Sequence, residues 1–423
     1  MASLGVLFGG MIVLIFIGMP VGYAIGLASL GTFFLFSTMD ISIIAQNCFT
    51  GLNSFTLLAI PFFILSGVLM GEGGIAKRIV DIADAFIGFV TGGLGIVAIF
   101  TSTFFGAITG SGNATTSAVG SLLIPSMEEK KYNKVFSSVL VAAAGSIGII
   151  IPPSIPFVIY GVATGTSIGD LFMAGIIPGL LMALALTIAC YIVSKKHGYG
   201  GSDTKPTVKG ILVALKNGIW ALLAPVIILG GIYSGIFTPT ESAVVAVIYS
   251  VVVGLFVYRE LTIKKLVHAL YQAAVINGIT TFIVAFSTSM CKYISMARLP
   301  EQIVSAIHSI TDSKIIVLII LNIVLLLVGM LIDIIPAIII LAPIFLPVVE
   351  AYGMTPIQFG VMLVLNLGIG FVTPPYGSTL FVASAVSKVP VDKMFKTAFF
   401  FTGVLCIVLI IVTYVPAVSL AFL

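Results

Sequence analysis

Charged residues are scarce in this chain of 423 residues, at 8% of the total, while hydrophobic residues make up 60%. A soluble domain carries about 25% charged residues. The composition therefore excludes a water-soluble fold and indicates an all-α polytopic membrane protein in a lipid bilayer. The net charge of +4 is small, and we interpret it as loop asymmetry that sets topology, with no nucleic-acid partner.

Cysteine and histidine are also rare, with four and three residues respectively. The sequence has no Cys-x-x-Cys pair, so we expect reduced thiols and no metal centre. It also lacks the phosphate-binding pattern G-x-x-x-x-G-K-[ST] and the zinc pattern H-E-x-x-H. We therefore expect no enzyme activity, and without an ATP-binding loop an ion gradient is the natural energy source.

Long apolar runs dominate the chain instead. Crossing a bilayer takes about 20 apolar residues. This rule predicts membrane helices near 4–36, 45–71, 135–165, 171–194, 217–236, 241–258, 267–291, 357–387 and 394–420. Two further runs, 93–128 and 314–349, are interrupted in their middles and have arms of about 15 residues. Such arms are typical of re-entrant helical hairpins, which dip to mid-depth and return to the same side.

Two of the predicted spans carry the same helix-breaking signal. Residues 148–153 read G-I-I-I-P-P, and residues 370–375, which lie 222 positions later, read G-F-V-T-P-P. Proline removes a backbone donor and clashes with the preceding turn, so we expect two broken helices. The breaks fall at Pro152, Pro153, Pro374 and Pro375. In lipid such breaks persist only inside protein or beside a polar cavity, which predicts an ion and substrate site at the membrane midplane.

The same offset extends beyond the two breaks. It also relates Pro125 to Pro347, Glu128 to Glu350, and Asp170 to Asp392. Lysine and arginine accumulate in cytoplasmic loops, and loops that carry them in one half have partners without them in the other. These pairs are 128–134 with 350–356, 388–396 with 166–170, and 259–265 with 38–44. The halves are therefore predicted to be inverted, with a cytoplasmic N-terminus and the C-terminus outside.

The same patterns divide the chain into five parts. Residues 1–92 are predicted to form scaffold helices and an amphipathic arm helix, residues 93–196 half of a transport domain, and residues 197–216 a cytoplasmic linker. Residues 217–313 are predicted to form a connecting span, further scaffold helices and a second arm helix, and residues 314–423 the other half of the transport domain. Each half of the transport domain comprises a hairpin, a broken helix and a final span.

Hairpin tips and broken helices are the expected ion sites, because half-helix C-terminal carbonyls attract cations. The first predicted sodium site comprises Ser111, Gly112, Asn113, Thr115, Gly145, Ser146 and Gly148. The second comprises Gly329, Asp333, Gly368, Gly370 and Thr373. Two inverted sites predict at least two Na⁺ ions. The alternative is that these small residues only allow close helix packing.

Asp333 is the sharpest single candidate for substrate binding. A carboxylate at mid-depth costs about 2.5–3.5 kcal/mol, which makes it a functional candidate by default. It can hold a cation or orient hydroxyl or amine groups of a substrate; the alternative is a tip residue that stays wet. Hydrogen-bond donors to a carboxylate are predicted after the breaks at Ser154, Tyr160, Tyr376, Ser378 and Thr379. No buried arginine or lysine is evident in the spans, so an anionic substrate would rely on helix ends and bound Na⁺.

Several motifs make the chain resemble the large membrane subunit of tripartite ATP-independent periplasmic (TRAP) transporters. They include G-S-G-N-A-T-T-S-A-V-G at 110–120, A-G-S-I-G at 144–148, A-G-I-I-P-G at 174–179 and G-I-Y-S-G-I-F-T-P-T-E at 231–241. The resemblance covers essentially the whole chain. It implies the bacterial inner membrane, an ion-transporter-like inverted-repeat fold, and elevator-type alternating access driven by Na⁺. It also implies that substrate lies between the hairpin tips, near Asp333.

The resemblance further implies two protein partners. One is a small four-helix membrane subunit, and the other is a periplasmic binding protein that delivers an organic acid, such as a C4-dicarboxylate, sialic acid or a related sugar acid. The main alternative is a self-sufficient Na⁺/carboxylate symporter that needs no binding protein. An ion channel with the breaks as its filter, or a membrane enzyme, would be a different class of protein.

Overall fold

The computed structural model describes residues 2–36, 40–201 and 206–423, without the side chains of residues 2 and 308–310. Within these ranges every regular element is a helix. Part of the predicted linker, 202–205, and part of the predicted loop 38–44 lie outside the described residues, as does the side chain of His308 in the second predicted arm.

Twenty α-helices follow one another along the described chain. The first half contains α1 Ala2–Phe16, α2 Val21–Phe36, α3 Ser42–Leu52, α4 Ala59–Glu72, α5 Ile75–Ile87, α6 Gly93–Thr109, α7 Gly112–Glu129, α8 Lys134–Gly145, α9 Ile155–Thr164 and α10 Ile168–His197. The second half contains α11 Val208–Tyr233, α12 Pro239–Val252, α13 Ile263–Met296, α14 Leu299–Ile310, α15 Lys314–Gly329, α16 Ile334–Ala351, α17 Pro356–Gly370, α18 Ser378–Ser387, α19 Val391–Tyr414 and α20 Pro416–Leu420.

The prediction of one helix over 4–36 is wrong, because the chain turns back between α1 and α2. Gly18 adopts a left-handed conformation with φ of 92°, which costs glycine little. Pro20 then precedes the first turn of α2. Leu7 of α1 and Ala24 and Ile25 of α2 share one buried cluster, so the two helices pack together as a hairpin.

Two other predicted spans are also interrupted. The predicted helix 45–71 is broken between α3 and α4, where Ser54 is extended and a 3₁₀ turn at Phe55–Leu58 leads into α4. The predicted helix 394–420 ends at Tyr414, because a residue that precedes proline, here Val415, is disfavoured in a helix. Among the described residues, seven helical segments are long and apolar enough to cross a membrane, and Ile334–Ala351, predicted as a hairpin arm, is one of them.

The internal repeat of the sequence reappears in the helix bounds. Helices α7 and α16 begin and end at equivalent positions of the repeat, and α8 and α17 begin at equivalent positions. The hairpin of α1 and α2 has its counterpart in α11 and α12, since Pro20 and Pro239 stand at matching places. The predicted span 217–236, now α11, is therefore the partner of α1 and not an unpaired connection between the halves.

The two broken helices form the centre of the molecule. Every residue of 136–161 and of 358–374 is buried. By contrast, helices α11, α12 and α13 leave large apolar side chains exposed along much of their length. Examples are Val226, Ile248 and Ile279. The breaks therefore lie inside protein, where their backbone groups can find partners, and the apolar outer helices suit contact with lipid.

The first arm helix, α5, is amphipathic as predicted. Its apolar face is buried at Ile75, Ile79 and Ile82. On its polar side Arg78 forms an ion pair with Glu260, donates to the carbonyl of Gly74 at 3.0 Å, and lies 4.3 Å from the ring centroid of Tyr258. These contacts tie the arm to the chain that joins α12 to α13.

We predict that the close approach of α6 to the first break makes Gly106 intolerant of a side chain. A Cβ at Gly106 would lie 2.5 Å from Cα of Gly148, whereas a Cβ at Gly278 in α13 would meet nothing within 4 Å. Gly106→Ala should destabilise the protein by about 1–3 kcal/mol through overpacking. Gly278→Ala, the matched control, should be neutral or stabilising by up to about 1 kcal/mol. Thermal unfolding of the purified variants checks this, and equal midpoints would contradict it.

Candidate substrate and ion site at the paired helix breaks

The first break is held together by Ser154. Helix α8 gives way to a 3₁₀ turn at Ser146–Ile149, and the peptide bond between Pro152 and Pro153 is cis. The Ser154 hydroxyl donates to the carbonyl of Ile149 at 2.5 Å and accepts from the amide of Phe157 at 3.3 Å. Ser154, predicted to bind substrate, is thus buried and serves as the N-cap of α9.

The second break repeats this plan with different side chains. The peptide bond between Pro374 and Pro375 is also cis. The Thr373 hydroxyl donates to the carbonyl of Ile369 at 2.7 Å, and the Thr379 hydroxyl donates to that of Phe371 at 2.8 Å. Both threonines are buried and satisfy backbone groups freed by the break. The neighbouring side chain of Tyr376, in contrast, is 44% exposed and free to meet a ligand.

The first hairpin tip lies directly against the first break. The carbonyl of Gly110 accepts from the amide of Ile155 at 3.3 Å, and a Cβ on Gly110 would lie 2.7 Å from the carbonyl oxygen of Pro153. Ser111 is the N-cap of α7, and its carbonyl accepts from the Thr115 hydroxyl at 2.8 Å. The tip therefore closes over the start of α9.

At the second tip, Asp333 occupies the position that Ser111 holds in the first. Its Oδ1 accepts from the amide of Ile334 at 2.7 Å, so it is the N-cap of α16. The positive end of a helix stabilises a carboxylate by about 0.3–1 kcal/mol, and by up to about 2 kcal/mol when partly buried. Asp333 is half-buried, and it stands four residues after Gly329, which packs against Gly370 of the second break. It therefore has a local capping role as well as access to the second break.

Glycines bring the backbones of tips and breaks together. Gly148 lies against Gly106 of α6, and Gly370 lies against the backbone of Gly329 at the end of α15. The carbonyl of Gly145 lies 3.3 Å from the position of a Cβ on Gly112. Close packing thus explains several of the predicted sodium-site glycines, and it also places carbonyl oxygens of different helices next to one another.

The two halves meet at Asn113, whose Oδ1 accepts from the Ser378 hydroxyl at 3.3 Å. Ile149 of the first break also packs where a Cβ on Gly368 would lie. The N-terminal ends of α7, α9, α16 and α18 therefore lie close to the C-terminal ends of α6, α8, α15 and α17. N-terminal ends attract anions and C-terminal carbonyls attract cations, so the arrangement can hold both kinds of ion.

Two predicted site residues, Tyr160 and Ser146, have hydroxyl groups that already donate hydrogen bonds to backbone carbonyls. The Tyr160 hydroxyl donates to the carbonyl of Pro356 at 2.7 Å, and its ring is buried. The Ser146 hydroxyl, in the 3₁₀ turn, donates to the carbonyl of Ala143 near the end of α8 at 2.7 Å. Both side chains support the helices around the first break.

Thr116 is a residue beside the first break that the sequence candidates omitted. Its buried hydroxyl lies against Gly145 and has no hydrogen-bond partner among the described residues. Thr116 stands four residues after Gly112, and such a spacing puts two residues on one helix face. The spacing of four residues from Gly112 was therefore the signal in the sequence that could have identified Thr116. An unpaired hydroxyl that lies against Gly145, close to the carbonyl of Gly112, fits the oxygen ligands that Na⁺ takes in broken-helix transporters.

Transition-metal chemistry has no counterpart at this site. In the part of the chain that the structure describes, no three His, Cys, Asp or Glu side chains group closely enough to hold a metal ion. The polar atoms at the breaks are carbonyls, hydroxyls, the Asn113 amide and the Asp333 carboxylate. Apart from the amide nitrogen of Asn113, these groups offer oxygen atoms as ligands, which suits an alkali cation.

The fold and the site together define a multi-pass helical membrane protein whose two broken helices meet at its centre, an arrangement typical of secondary transporters. Residues 8–418 match the family described as "Tripartite ATP-independent periplasmic transporter, DctM component". The chain therefore belongs to this family as a large membrane subunit of a bacterial TRAP transporter. The family comprises transport permeases, which confirms the prediction that the chain is not an enzyme.

Several characterised relatives are similar over nearly the whole chain. The C4-dicarboxylate TRAP transporter large permease protein DctM of Pseudomonas aeruginosa is 41% identical over 94% of this chain and 93% of its own length. The sialic acid TRAP transporter large permease protein SiaM of Vibrio cholerae is 38% identical over 97% and 96%. The isethionate TRAP transporter permease protein DctMQ of Oleidesulfovibrio alaskensis is 43% identical over 99% of this chain, which spans 66% of that relative.

A solved structure shares the fold. The Alcanivorax borkumensis YdaH transporter superposes with a TM-score of 0.65 and 13% identity, covering 90% of this chain and 88% of that one. At this identity the likeness concerns the fold alone.

We predict that substitutions at Asp333 separate its capping role from its charge. Asp333→Ala removes the cap of α16 and should cost about 1 kcal/mol of stability. Asp333→Ser places in the second tip the cap that Ser111 provides in the first, and it should unfold near the wild-type midpoint. Thermal unfolding in detergent is the measurement. An alanine variant as stable as the serine variant would show that Asp333 does not cap α16.

Proposed function

We propose that this chain carries a small organic acid into the cell together with Na⁺ by elevator-type alternating access. The observation that supports this most is the meeting of four helix N-termini with four helix C-termini at the paired breaks. One set of ends favours a carboxylate and the other favours cations. A site of this kind binds the two together, which is the requirement for ion-coupled transport.

The substrate class follows from the charges at the site. Asp333 is a carboxylate, so an anionic substrate needs compensation from helix ends and bound cations. The relatives carry the names of isethionate, C4-dicarboxylate, sialic acid and 2,3-diketo-L-gulonate permeases, all of them organic acids. We infer that the substrate is an organic acid that binds next to Asp333, Tyr376 and Ser378.

Sodium would occupy one site in each half. In the first half, the unpaired hydroxyl of Thr116 and the nearby carbonyl of Gly112 would be ligands. In the second, the carbonyl ends of α15 and α17 lie together at Gly329 and Gly370. Two Na⁺ with a monoanion carry net positive charge inward, and each charge moved through 100 mV contributes about 2.3 kcal/mol. The membrane potential would then assist uptake.

The contacts of the tips support re-entrant hairpins. The first broken helix runs over Lys134–Gly145 and Ile155–Thr164, and the Gly110 tip touches it at Ile155, near its middle. A tip at the middle of a spanning helix lies near mid-depth, so α6 and α7 enter and leave on the same side. The second hairpin, α15 and α16, meets its broken helix through Gly329 and Gly370. These hairpins and breaks would move together against the scaffold.

From the α1–α2 hairpin we infer an orientation of the N-terminus that differs from the predicted cytoplasmic one. Loops 128–134 and 259–265 carry lysine or arginine and are assigned to the cytoplasm. Two helices, α1 and α2, precede residue 38 where the sequence predicted one. With the same loops in the cytoplasm, the N-terminus would then lie outside, as the C-terminus would. Each half then has the same series of elements in the opposite orientation.

Two further proteins would complete the transporter. We infer a small membrane subunit and a periplasmic binding protein, because this chain matches 66% of a longer permease named DctMQ and nearly all of permeases named as large subunits. The alternative, a self-sufficient symporter, has the same site but takes free acid from solution. Uptake with and without the binding protein distinguishes them.

Reconstitution into proteoliposomes tests the proposed function. With both partners present, uptake of succinate, N-acetylneuraminate or isethionate should require an inward Na⁺ gradient and the binding protein. Asp333→Ser, which keeps the helix cap, should abolish it. Uptake that is equally fast in K⁺ would refute sodium coupling, and uptake of free acid without the binding protein would favour the self-sufficient symporter.

The sodium site in the first half makes a narrower prediction. Thr116→Val removes the unpaired hydroxyl at nearly constant volume and should raise the half-saturating Na⁺ concentration about tenfold, the equivalent of about 1.4 kcal/mol. Thr187→Val is the matched control, since the Thr187 hydroxyl donates to Ala183 of α10 far along the chain from the breaks. An unchanged Na⁺ dependence in Thr116→Val would remove this residue from the ion site.

The revised orientation can be checked with single cysteines. In a variant without the four native cysteines, Ser3→Cys should react with a membrane-impermeant maleimide in intact cells, and Ile17→Cys in the α1–α2 turn should react only after the cells are opened. Ile17 is 75% exposed, so its protection would reflect its side of the membrane. The opposite pattern would restore a cytoplasmic N-terminus.

A further inference from the structure

A cavity of about 530 Å³ lies apart from the helix breaks, between the predicted scaffold and the predicted transport domain. The scaffold side is formed by α3, the 3₁₀ turn before α4, and α13, and the transport side by α9 and α16. Its lining includes Thr50, Thr288, Cys291, Lys292, Ser295, Ile339 and Pro343. A volume between about 300 and 1,000 Å³ is typical of small-molecule sites.

Lys292 is the one charged side chain among the described residues that line this cavity. The predicted span 267–291 stopped one residue short of it, but α13 continues to Met296 and carries Lys292 on its last turns. No hydrogen bond or ion pair engages Lys292 among the described residues. Lys292 is exposed, and a charge at a cleft with apolar walls attracts an anion more strongly than the same charge on an open surface.

Hydroxyl groups line the same cavity as Lys292, but they are engaged in local hydrogen bonds. Those of Thr50, Thr288 and Ser295 donate to backbone carbonyls of their own helices, at 2.8, 2.8 and 3.0 Å. Lys292 is therefore the group that selects for negative charge, while the hydroxyl oxygens offer polar surface to the remainder of a ligand. Apolar contacts from Ile339 and Pro343 complete the wall.

The charge-based topology puts the cavity on the outer side of the breaks. Lys292 stands at the end of α13 opposite to Lys264 and Lys265, which belong to the cytoplasmic loop. On α16, Ile339 and Pro343 follow Asp333 by six and ten residues, or about 9 and 15 Å at 1.5 Å per residue. A substrate from the outside would thus meet Lys292 before it meets the breaks.

We propose that this cavity is an outer binding site for the organic acid, and that Lys292 recognises its acidic group. The inference rests on the proposed function. Movement of the transport domain outward by about 9–15 Å along α16 would bring Asp333 level with Lys292. In the outward state, Lys292 on the fixed scaffold would then face the anion. Inward movement of the transport domain would separate the anion from Lys292.

Cys291 lines the same cavity and reports on its charge without any need for transport. In a purified variant that keeps Cys291 but lacks Cys48, Cys190 and Cys406, a sulfonate-bearing methanethiosulfonate should react faster than its trimethylammonium analogue. Lys292→Gln should reduce this preference about tenfold, because one positive charge is lost. Lys292→Arg should preserve it. Lys314→Gln is the control, since Lys314 also follows the outer end of α13 but bonds to the carbonyl of Gly353 outside the cavity.

Protection by substrate then tests the binding site itself. Millimolar succinate, N-acetylneuraminate or isethionate should slow labelling of Cys291 in the Lys314→Gln protein, and Lys292→Gln should abolish that protection. Protection by none of the acids, or equal protection in Lys292→Gln, would overturn the inference.

Uptake by the same variants separates this inference from the proposed function. With both partners present, Lys292→Gln should raise the half-saturating concentration of loaded binding protein about tenfold and leave the Na⁺ dependence unchanged. An unchanged half-saturating concentration would contradict the outer site alone. Absence of Na⁺-driven uptake in the unsubstituted chain would instead contradict the proposed function, and with it the role of the cavity in transport.

Discussion

A membrane helix can break only where its freed carbonyl and amide groups find partners, and this requirement shapes the centre of the chain. Side chains meet part of it: Ser154 bridges the first break, and Thr373 and Thr379 stabilise the second. Glycines meet the rest by letting the hairpin tips approach the breaks, as Gly110 does at Ile155. The remaining oxygens and helix ends face one another across the two halves. The site is thus a consequence of how the breaks are stabilised.

The near-symmetry of the halves makes their differences informative. Ser111 and Asp333 cap equivalent helices of the two halves, yet only one carries charge. A serine would satisfy the cap in both places, so the carboxylate at the second tip has a reason beyond helix stability. Its neighbour Tyr376 is exposed beside the second break. The second half therefore offers the side chains suited to a substrate, while Thr116 gives the first half its unpaired oxygen.

Part of this architecture could be predicted from the sequence, because proline pairs and amphipathic patterns are local signals. The two breaks follow from the prolines, and the arm helix α5 follows from its amphipathic pattern. The split at Gly18 was missed because the apolar run continues on both sides of a short turn. Thr116 and Lys292 escaped notice for another reason: their significance depends on neighbours distant in sequence. The predicted domain division and the individual sodium ligands remain predictions.

The central claim is that one site binds an organic acid and Na⁺ interdependently. Thermal stabilisation of the purified chain by each ligand, measured with and without the other, tests this most directly. If the claim is right, an acid that is transported should stabilise the protein strongly in Na⁺ and weakly in K⁺, and it should strengthen Na⁺ binding by the same factor. Stabilisation by the acid that is identical in Na⁺ and K⁺ would contradict a shared site.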